Sequence, residues 1–307
     1  MFIIREALDV QPNNAASIKP RKAVLAALLL PGVAIYVFIT IIPLFTAFGY
    51  SLTNWAIGPN RDFIGFDNYV RLMGDSVFWQ AFRNNLVIVA GNLIVQMGIA
   101  FLLTVLFMSR AMRGKEFHRT VIFLPVVLSA VVVGFIWQMV YSNNFGMLNA
   151  VLRSLNMDSL IRLWLDDPKQ VIYSVTLPLI WQYLGVPLMI FMSAVQGISK
   201  EVYEVCEIDG ATGVKKAIYI TFPLIYSSMK VAVMLSISSN MLVFSHILVL
   251  TGGGPGTSSM VLALYSYSTS FTRMQLGYGS AIAIGVFILS FGLVLIFKKL
   301  AEVGQSE

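Results

Sequence analysis

The chain has 307 residues, of which 57% are hydrophobic and only 12% charged, with a formal net charge of +6. A soluble globular chain carries about twice that charged fraction, so this composition and a mean hydropathy of +0.79 describe a membrane protein. The lone thiol, Cys206, excludes an internal disulfide framework and a cysteine-rich metal site, and the positive balance is read against membrane topology before nucleic acid.

Six stretches reach the roughly 20 apolar residues that a bilayer-crossing helix needs. They are about 23–50, 84–108, 120–141, 171–195, 229–250 and 277–297. The sequence predicts an all-α integral membrane protein: a 1–22 N-terminal segment, a 23–297 transmembrane domain and a 298–307 tail. Pro31, Gly32 and Pro43 predict a kinked first span. The run after "KPRK" is too long for a signal-peptide core and is read as a retained helix.

An even number of spans places both termini on one side. With that side cytoplasmic, 14 of the 21 Lys and Arg fall inside, in the clusters Arg5 to Lys22, Arg110 to Arg119, Lys200 to Lys230 and Lys298–Lys299. Arg61, Arg71, Arg83, Arg153, Arg162, Lys169 and Arg273 fall outside. That bias predicts a multi-pass cell-membrane (inner or plasma membrane) protein with cytoplasmic N and C termini.

Within the spans there is no Asp, Glu or Arg, and Lys230 sits at an edge. Proton pumps and voltage sensors need ionisable groups at depth, although sodium coupling through backbone carbonyls needs none. "TGGGPGTSS" (251–259) lacks the Gly-Lys-Ser/Thr of a phosphate loop and reads as a turn closing the fifth span. No Ser-His-Asp, paired-carboxylate or metal-ligand grouping emerges, so the chain is expected to be non-catalytic and to bind no cofactor or metal.

Between the fourth and fifth spans lies a charged island at 199–225. Ser199 to Asp209 has helical periodicity, with Val202, Val205, Cys206 and Ile208 near one face and Glu201, Glu204 and Glu207 beside them. Lys200 and Glu204 are spaced to pair at i,i+4. Gly210 permits a left-handed turn. Thr212 is placed to cap a second turn with Val214, Ala217, Ile218 and Phe222 as its stripe, and Pro223 is expected to end it. Such a surface suits docking into a partner's groove, or lying as an amphipathic linker in the headgroups.

Glu204, Gly210 and Ile220 with Phe222-Pro223, around the "EIDGA" of 207–211, stand in the spacing of the EAA loop. The island therefore resembles the coupling loop of permease subunits of binding-protein-dependent ABC importers, with Val205 and Cys206 for two alanines, Phe222 for Leu and Ser199 for Pro. "FIGFDNYVRLM" (63–73), "FHRTVIFLPVVLSAVVVGFIWQMVY" (117–141) and "TGGGPGTSS" are similar to segments of the carbohydrate class of these permeases, the maltose and glycerol-phosphate type.

That resemblance implies a type I importer fold in which two homologous permease subunits pair. It also implies an extracellular solute-binding protein and two ATP-binding subunits that hold the ATP and Mg. ATPase docking is then expected from Glu204, Asp209, Gly210, Glu207, Ala211 and Pro223. A substrate pathway is expected from Asn240, Phe244, Ser239, Gln182 and Tyr183, because polar groups at depth line cavities. Asn240 and Phe244, at i,i+4, would hydrogen-bond and stack on a sugar. Ser and Asn also bridge helices, which is the other reading of these residues. No charged group waits at depth for an anion, so a neutral sugar or oligosaccharide is the expected solute, with membrane lipid and no nucleic acid as further surroundings.

His246 reads as a hydrogen-bonded packing residue, His118 as solvated, Tyr265 and Tyr267 as interfacial belt residues, and the 15 Met as gap fillers. The alternatives are an ion-coupled secondary transporter, which would show an internal repeat, and an intramembrane enzyme, which would need clustered reactive groups at depth.

Overall fold

A computed structural model describes residues 22–108 and 112–303. Arg5, Lys19, Arg21 and Arg110 of the charge pattern lie outside these residues. The described residues fall into two compact units, one up to Ala47 and one from Phe48. Among the described residues it is helical, apart from loops and one isolated bridge, Thr53 to Phe63.

Helix α1 (Val24–Ser51) is unbroken. A wide π turn over Val37–Ile41, closed by Ile42 N–H donating to Val37 O, carries the chain into Pro43. Proline has no N–H to give and its ring crowds the carbonyl four residues back; a widened turn relieves both demands. The short α2 (Asp67–Met73) leads to α3 (Ser76–Met108), the second long apolar helix.

The third and fourth apolar stretches are not straight spans. Residues 115–141 form α4 (Lys115–Val127) and α5 (Ala130–Tyr141), bent by 101° at Leu128–Ser129. Leu128 is extended, and Ser129 caps α5 by accepting from Val131 N–H. After the short α6 (Met147–Ser154), residues 171–196 form α7 (Val171–Tyr183) and α8 (Gly185–Gln196), bent by 43°. Pro187 stands four residues after Tyr183, so its ring crowds the Tyr183 carbonyl and bends the chain there.

Following α9 (Lys200–Ile208), helix α10 runs over Gly213–Met241. The predicted 229–250 span therefore stops short: Leu242 to Phe244 leave the helix, and α11 (Ser245–Leu250) is a separate piece. Pro223 does not end a helix either. It lies inside α10, behind another π turn, Ala217–Thr221, closed by Phe222 N–H donating to Ala217 O. The chain ends with α12 (Leu262–Tyr267) and α13 (Leu276–Val303), the latter continuing beyond residue 297.

In unit 48–307 two apolar clusters hold these helices. One joins Phe78, Ile88, Leu179, Met241, Ile247, Leu262 and Ile282; the other, toward the 199–225 end, joins Met97, Phe107, Leu188, Phe191 and Ile225. Helix α5 meets α11 at Gly134, where an added Cβ would meet Val249 Cγ1 at 2.7 Å, so only glycine allows that approach.

Each break frees backbone carbonyls that hydrocarbon cannot solvate. Buried carboxamides meet them. Gln182 Nε2 donates to Leu128 O at 2.8 Å, in the α4–α5 bend. Asn85 Nδ2 donates to Asn240 O at 2.9 Å and Met241 O at 3.3 Å, at the end of α10, while its Oδ1 accepts from Leu262 N–H. Asn84 Nδ2 donates to Ser258 O and Met260 O, and Gln138 Nε2 to Val249 O and Leu250 O.

The N-terminal end of α3 is tied by Asp75. One carboxylate oxygen caps the helix by accepting from Val77 and Phe78 N–H; the other accepts from the hydroxyls of Tyr265 and Tyr278. Tyr265 is thus buried at 2% exposure and not a belt residue, whereas Tyr267 is exposed. Burial works to raise the Asp75 pKa, but the two hydroxyls and two amides together outweigh it and hold the carboxyl below its ordinary value.

Two expectations follow. Asn85→Leu leaves Met241 O and the Leu262 amide unpaired, removes the 2.9 Å bond to Asn240 O, and should cost about 2 kcal/mol or more, read as a lowered thermal midpoint of the purified protein. A depressed carboxylate pKa contributes stability that is present above the unfolded value of 3.8 and lost as pH falls through the folded value. Asp75→Asn should therefore lower the thermal midpoint at pH 7 and flatten its decline in acid; equal acid slopes in the two proteins would contradict this role.

Candidate functional site: a coupling loop and a cavity between broken helices

The charged island folds as a short helix, a left-handed turn and a second helix start. Helix α9 begins after the extended Ser199 and ends at Asp209, whose N–H donates to Val205 O. Gly210 has φ +77°, and Ala211 N–H closes the turn onto Cys206 O at 2.8 Å. A side chain at Gly210 would meet no neighbour, so its backbone conformation alone demands glycine. Thr212 occupies the capping position of the next turn, but its side chain makes no capping bond.

Glu207, not Glu204, makes the ion pair of this segment: Lys216 Nζ reaches Glu207 Oε1 at 2.8 Å across the turn. The Lys200–Glu204 pair expected from spacing does not form among the described residues. Glu204 and Asp209 are exposed, Ala211 is half-buried, and Pro223 is exposed on α10. Around them Val205, Ile208, Val214, Ile218 and Tyr219 are all exposed, Ile208 at 85%. The loop therefore presents apolar side chains next to free carboxylates, a surface that a protein partner can cover. Glu201 is held below its ordinary pKa by its own backbone N–H and the Ser199 side chain.

The residues expected to line a pathway meet at the bends. A cavity of about 250 Å³ is lined by Tyr183, Ser239, Asn240, Phe244 and His246, with Ala130, Leu179, Leu242, Val243 and Ser245. It touches the first residue of α5, just after the third stretch's bend, the end of α7 and the break after α10. Asn240 and Phe244 do share this cavity, but not as i,i+4 neighbours: the helix ends at Met241, and Phe244 has φ −139°, ψ −65°.

Asn240 Nδ2 turns back to Ser236 O at 2.8 Å, while among the described residues no donor reaches its Oδ1. Ser239 Oγ donates to Ser236 O. Phe244 packs edge-on against Tyr267, and Tyr183 against His246. Gln182 lies behind the wall. Buried at 1% exposure, it bonds Leu128 O by its amide and His246 Nε2 by its carbonyl oxygen. No lining residue is charged. The cavity can thus accept a hydroxyl at Asn240 and lay an apolar ring face against Phe244 or Tyr183.

Sequence reasoning missed Asn84, Asn85 and Gln138, which hold the breaks; His246 is the hydrogen-bonded packing residue it expected. The available signal was the adjacent Asn pair inside an otherwise apolar stretch, since unpaired carboxamides are costly there.

Comparison with known proteins agrees with this architecture. Residues 96–300 match the family of binding-protein-dependent transport system inner membrane components. The probable ABC transporter permease protein YurN of Bacillus subtilis is 34% identical over 91% of this chain and 96% of its own length. The diacetylchitobiose uptake system permease protein NgcF of Streptomyces coelicolor is 30% identical over 89% of this chain and 82% of its own. In three dimensions the chain shares its fold with a bacterial ABC transporter involved in import of the acidic polysaccharide alginate, at a TM-score of 0.78 and 22% identity, covering 91% of this chain and 95% of that one. An ion-coupled carrier and an intramembrane enzyme are set aside by that family match. The chain belongs to the binding-protein-dependent transport system inner membrane components, and is the non-catalytic permease subunit of an ABC importer.

Proposed function

We propose that this permease forms half of the pathway for a neutral sugar or oligosaccharide, and that its 199–225 loop is where ATP-binding subunits dock. The observation that carries the solute reading is the uncharged cavity at the bends, lined by Asn240, Ser239, Tyr183 and Phe244. Hydroxyl-accepting oxygens beside aromatic faces suit a carbohydrate, and an acidic solute would leave its charge uncompensated there. The named sugar uptake of the NgcF relative supports the same class.

In this reading a second homologous permease completes the pathway and an extracellular solute-binding protein delivers to it. Two ATP-binding subunits, carrying ATP and Mg, grip the exposed Val205, Ile208 and Val214 beside Glu204 and Asp209. The Lys216–Glu207 pair and the Gly210 turn hold the two short helices as one body, so a push on the loop is delivered to α10 and thence to Asn240 at its far end. The loop and both termini lie on the cytoplasmic side.

Proteoliposomes holding the complete importer, supplied with binding protein and a panel of labelled neutral oligosaccharides, test the solute class; accumulation of none of them would overturn it. Asn240→Ala should raise KM for the accumulated sugar roughly tenfold, the worth of one hydrogen bond to a fixed group.

For the loop, Gly210→Pro cannot reach φ +77° and should abolish ATP-dependent uptake at normal membrane expression, with Glu204→Lys weakening ATPase association. Cysteine placed at Val214, in a Cys206→Ser background, should react with impermeant maleimide only from the cytoplasmic side. Unchanged uptake in both loop variants would remove the docking role.

A further inference from the structure

Four buried polar side-chain atoms lack a hydrogen-bond partner among the described residues: Arg119 Nε, Asn143 Oδ1, Tyr203 Oη and Thr269 Oγ1. Such atoms are few in folded proteins, and each calls for a reason. Two of these four belong to residues that line one cavity.

That cavity, about 280 Å³, lies where the end of α3, the start of α4, the end of α8 and helix α9 come together. Its polar lining is Lys115, Arg119, Gln196 and Tyr203, with Thr104 bonded back to Ala100 O; the rest is apolar, with Phe107 and Met192. Arg119 spends one terminal nitrogen on Glu116 Oε1 at 2.8 Å, and Glu116 itself is 85% exposed. Lys115 and Gln196 make no side-chain bond among the described residues. Tyr203 also borders the adjoining cavity, where Glu204 and Glu207 lie; Glu207 is held there by Lys216, whose ammonium also stands 5.6 Å from the Tyr203 ring. The loop acids Glu204 and Glu207 thus line the adjoining cavity and not this one, whose polar lining is of donors.

The donors are an Arg N–H, a Lys ammonium, a carboxamide and a phenol hydroxyl. What they have in common is an oxygen-rich anion, and the guanidinium and ammonium favour phosphate. The apolar wall beside them matches the stem of an amphiphile. With α9 on the cytoplasmic side, the site stands at the level of the inner leaflet, where anionic headgroups concentrate.

We propose that Lys115, Arg119, Gln196 and Tyr203 bind a phosphate group, carried by an anionic lipid or free in solution, beside the coupling helix. The inner-leaflet placement rests on the orientation given above; the binding chemistry does not. A phosphate held there joins the entry of α4 to α9, so its occupancy should stiffen the seat of the loop that meets the ATPase.

The test uses the complete importer purified in a neutral detergent with no sugar present, so neither its success nor its failure bears on the solute reading. Thermal midpoints are measured against dioleoylphosphatidylglycerol, dioleoylphosphatidylcholine and sodium phosphate. A saturable rise with phosphatidylglycerol and none with phosphatidylcholine is expected for a lipid ligand; a rise with phosphate alone identifies a free anion.

Tyr203→Phe removes only the hydroxyl and should need roughly tenfold more of the effective ligand for the same rise. Arg119→Gln should abolish the rise, whereas Lys299→Gln, a basic residue elsewhere on the chain, should leave it intact. The proposal is overturned if neither phosphatidylglycerol nor phosphate shifts the midpoint, or if Tyr203→Phe and Arg119→Gln respond like the wild type.

Discussion

A carbonyl released by a bent helix has no water to turn to inside a bilayer, and this constraint organises the larger unit of the protein. The bend between α4 and α5 and the early end of α10 both release such carbonyls. Gln182 and Asn85 each place a carboxamide on them from a neighbouring helix. An amide donates in two directions without bringing charge, so it satisfies irregular backbone at less desolvation cost than Lys or Arg. Irregular backbone at depth is tolerated where it borders a cavity or protein, and here it borders the cavity that holds Asn240, Tyr183 and Phe244. Polar packing and the site are thus one arrangement: the residues that make the bends tolerable also decide where the open space lies.

The 199–225 loop obeys the opposite rule. Its apolar side chains are exposed instead of buried, and its acids stay in water, so as an isolated surface it is incomplete. A membrane-face loop gains little from such exposure unless another protein covers it. Its shape is held locally: the left-handed Gly210 sets the angle, and the ion pair between Lys216 and Glu207 spans the turn. A solvent-exposed pair adds little stability, but here it fixes a geometry that a glycine turn alone leaves free.

Much of this was legible in the chain. Apolar length marked the four long helices and the two bent pairs, with the largest shift of bounds at α10, and the helix–Gly–helix order of the island follows from its acid spacing and Gly210. The bends were less legible because hydropathy averages over them: Leu128–Ser129 is as apolar as its flanks, and Leu242 to Phe244 has no Gly or Pro to mark the end of α10. Pro223 misled in the other direction, since a proline ends a regular helix but not one that widens first. Tyr265 misled because an aromatic near a membrane face is as ready to cap a buried carboxylate as to sit among headgroups. Asp75, three positions before Phe78, carried the signature of a helix cap, but its two tyrosine partners lie about 200 residues away and no local pattern reports them.

The wide turns ahead of Pro43 and Pro223 have a geometric consequence. Each accommodates a residue beyond the regular count, and one residue is about 100° of helix. Everything downstream of Ala217–Thr221 is therefore rotated, as a rigid screw, relative to what uninterrupted winding would give. The azimuth at which Asn240 emerges near the top of α10 is fixed some twenty residues earlier, by the widening that lets Pro223 pass.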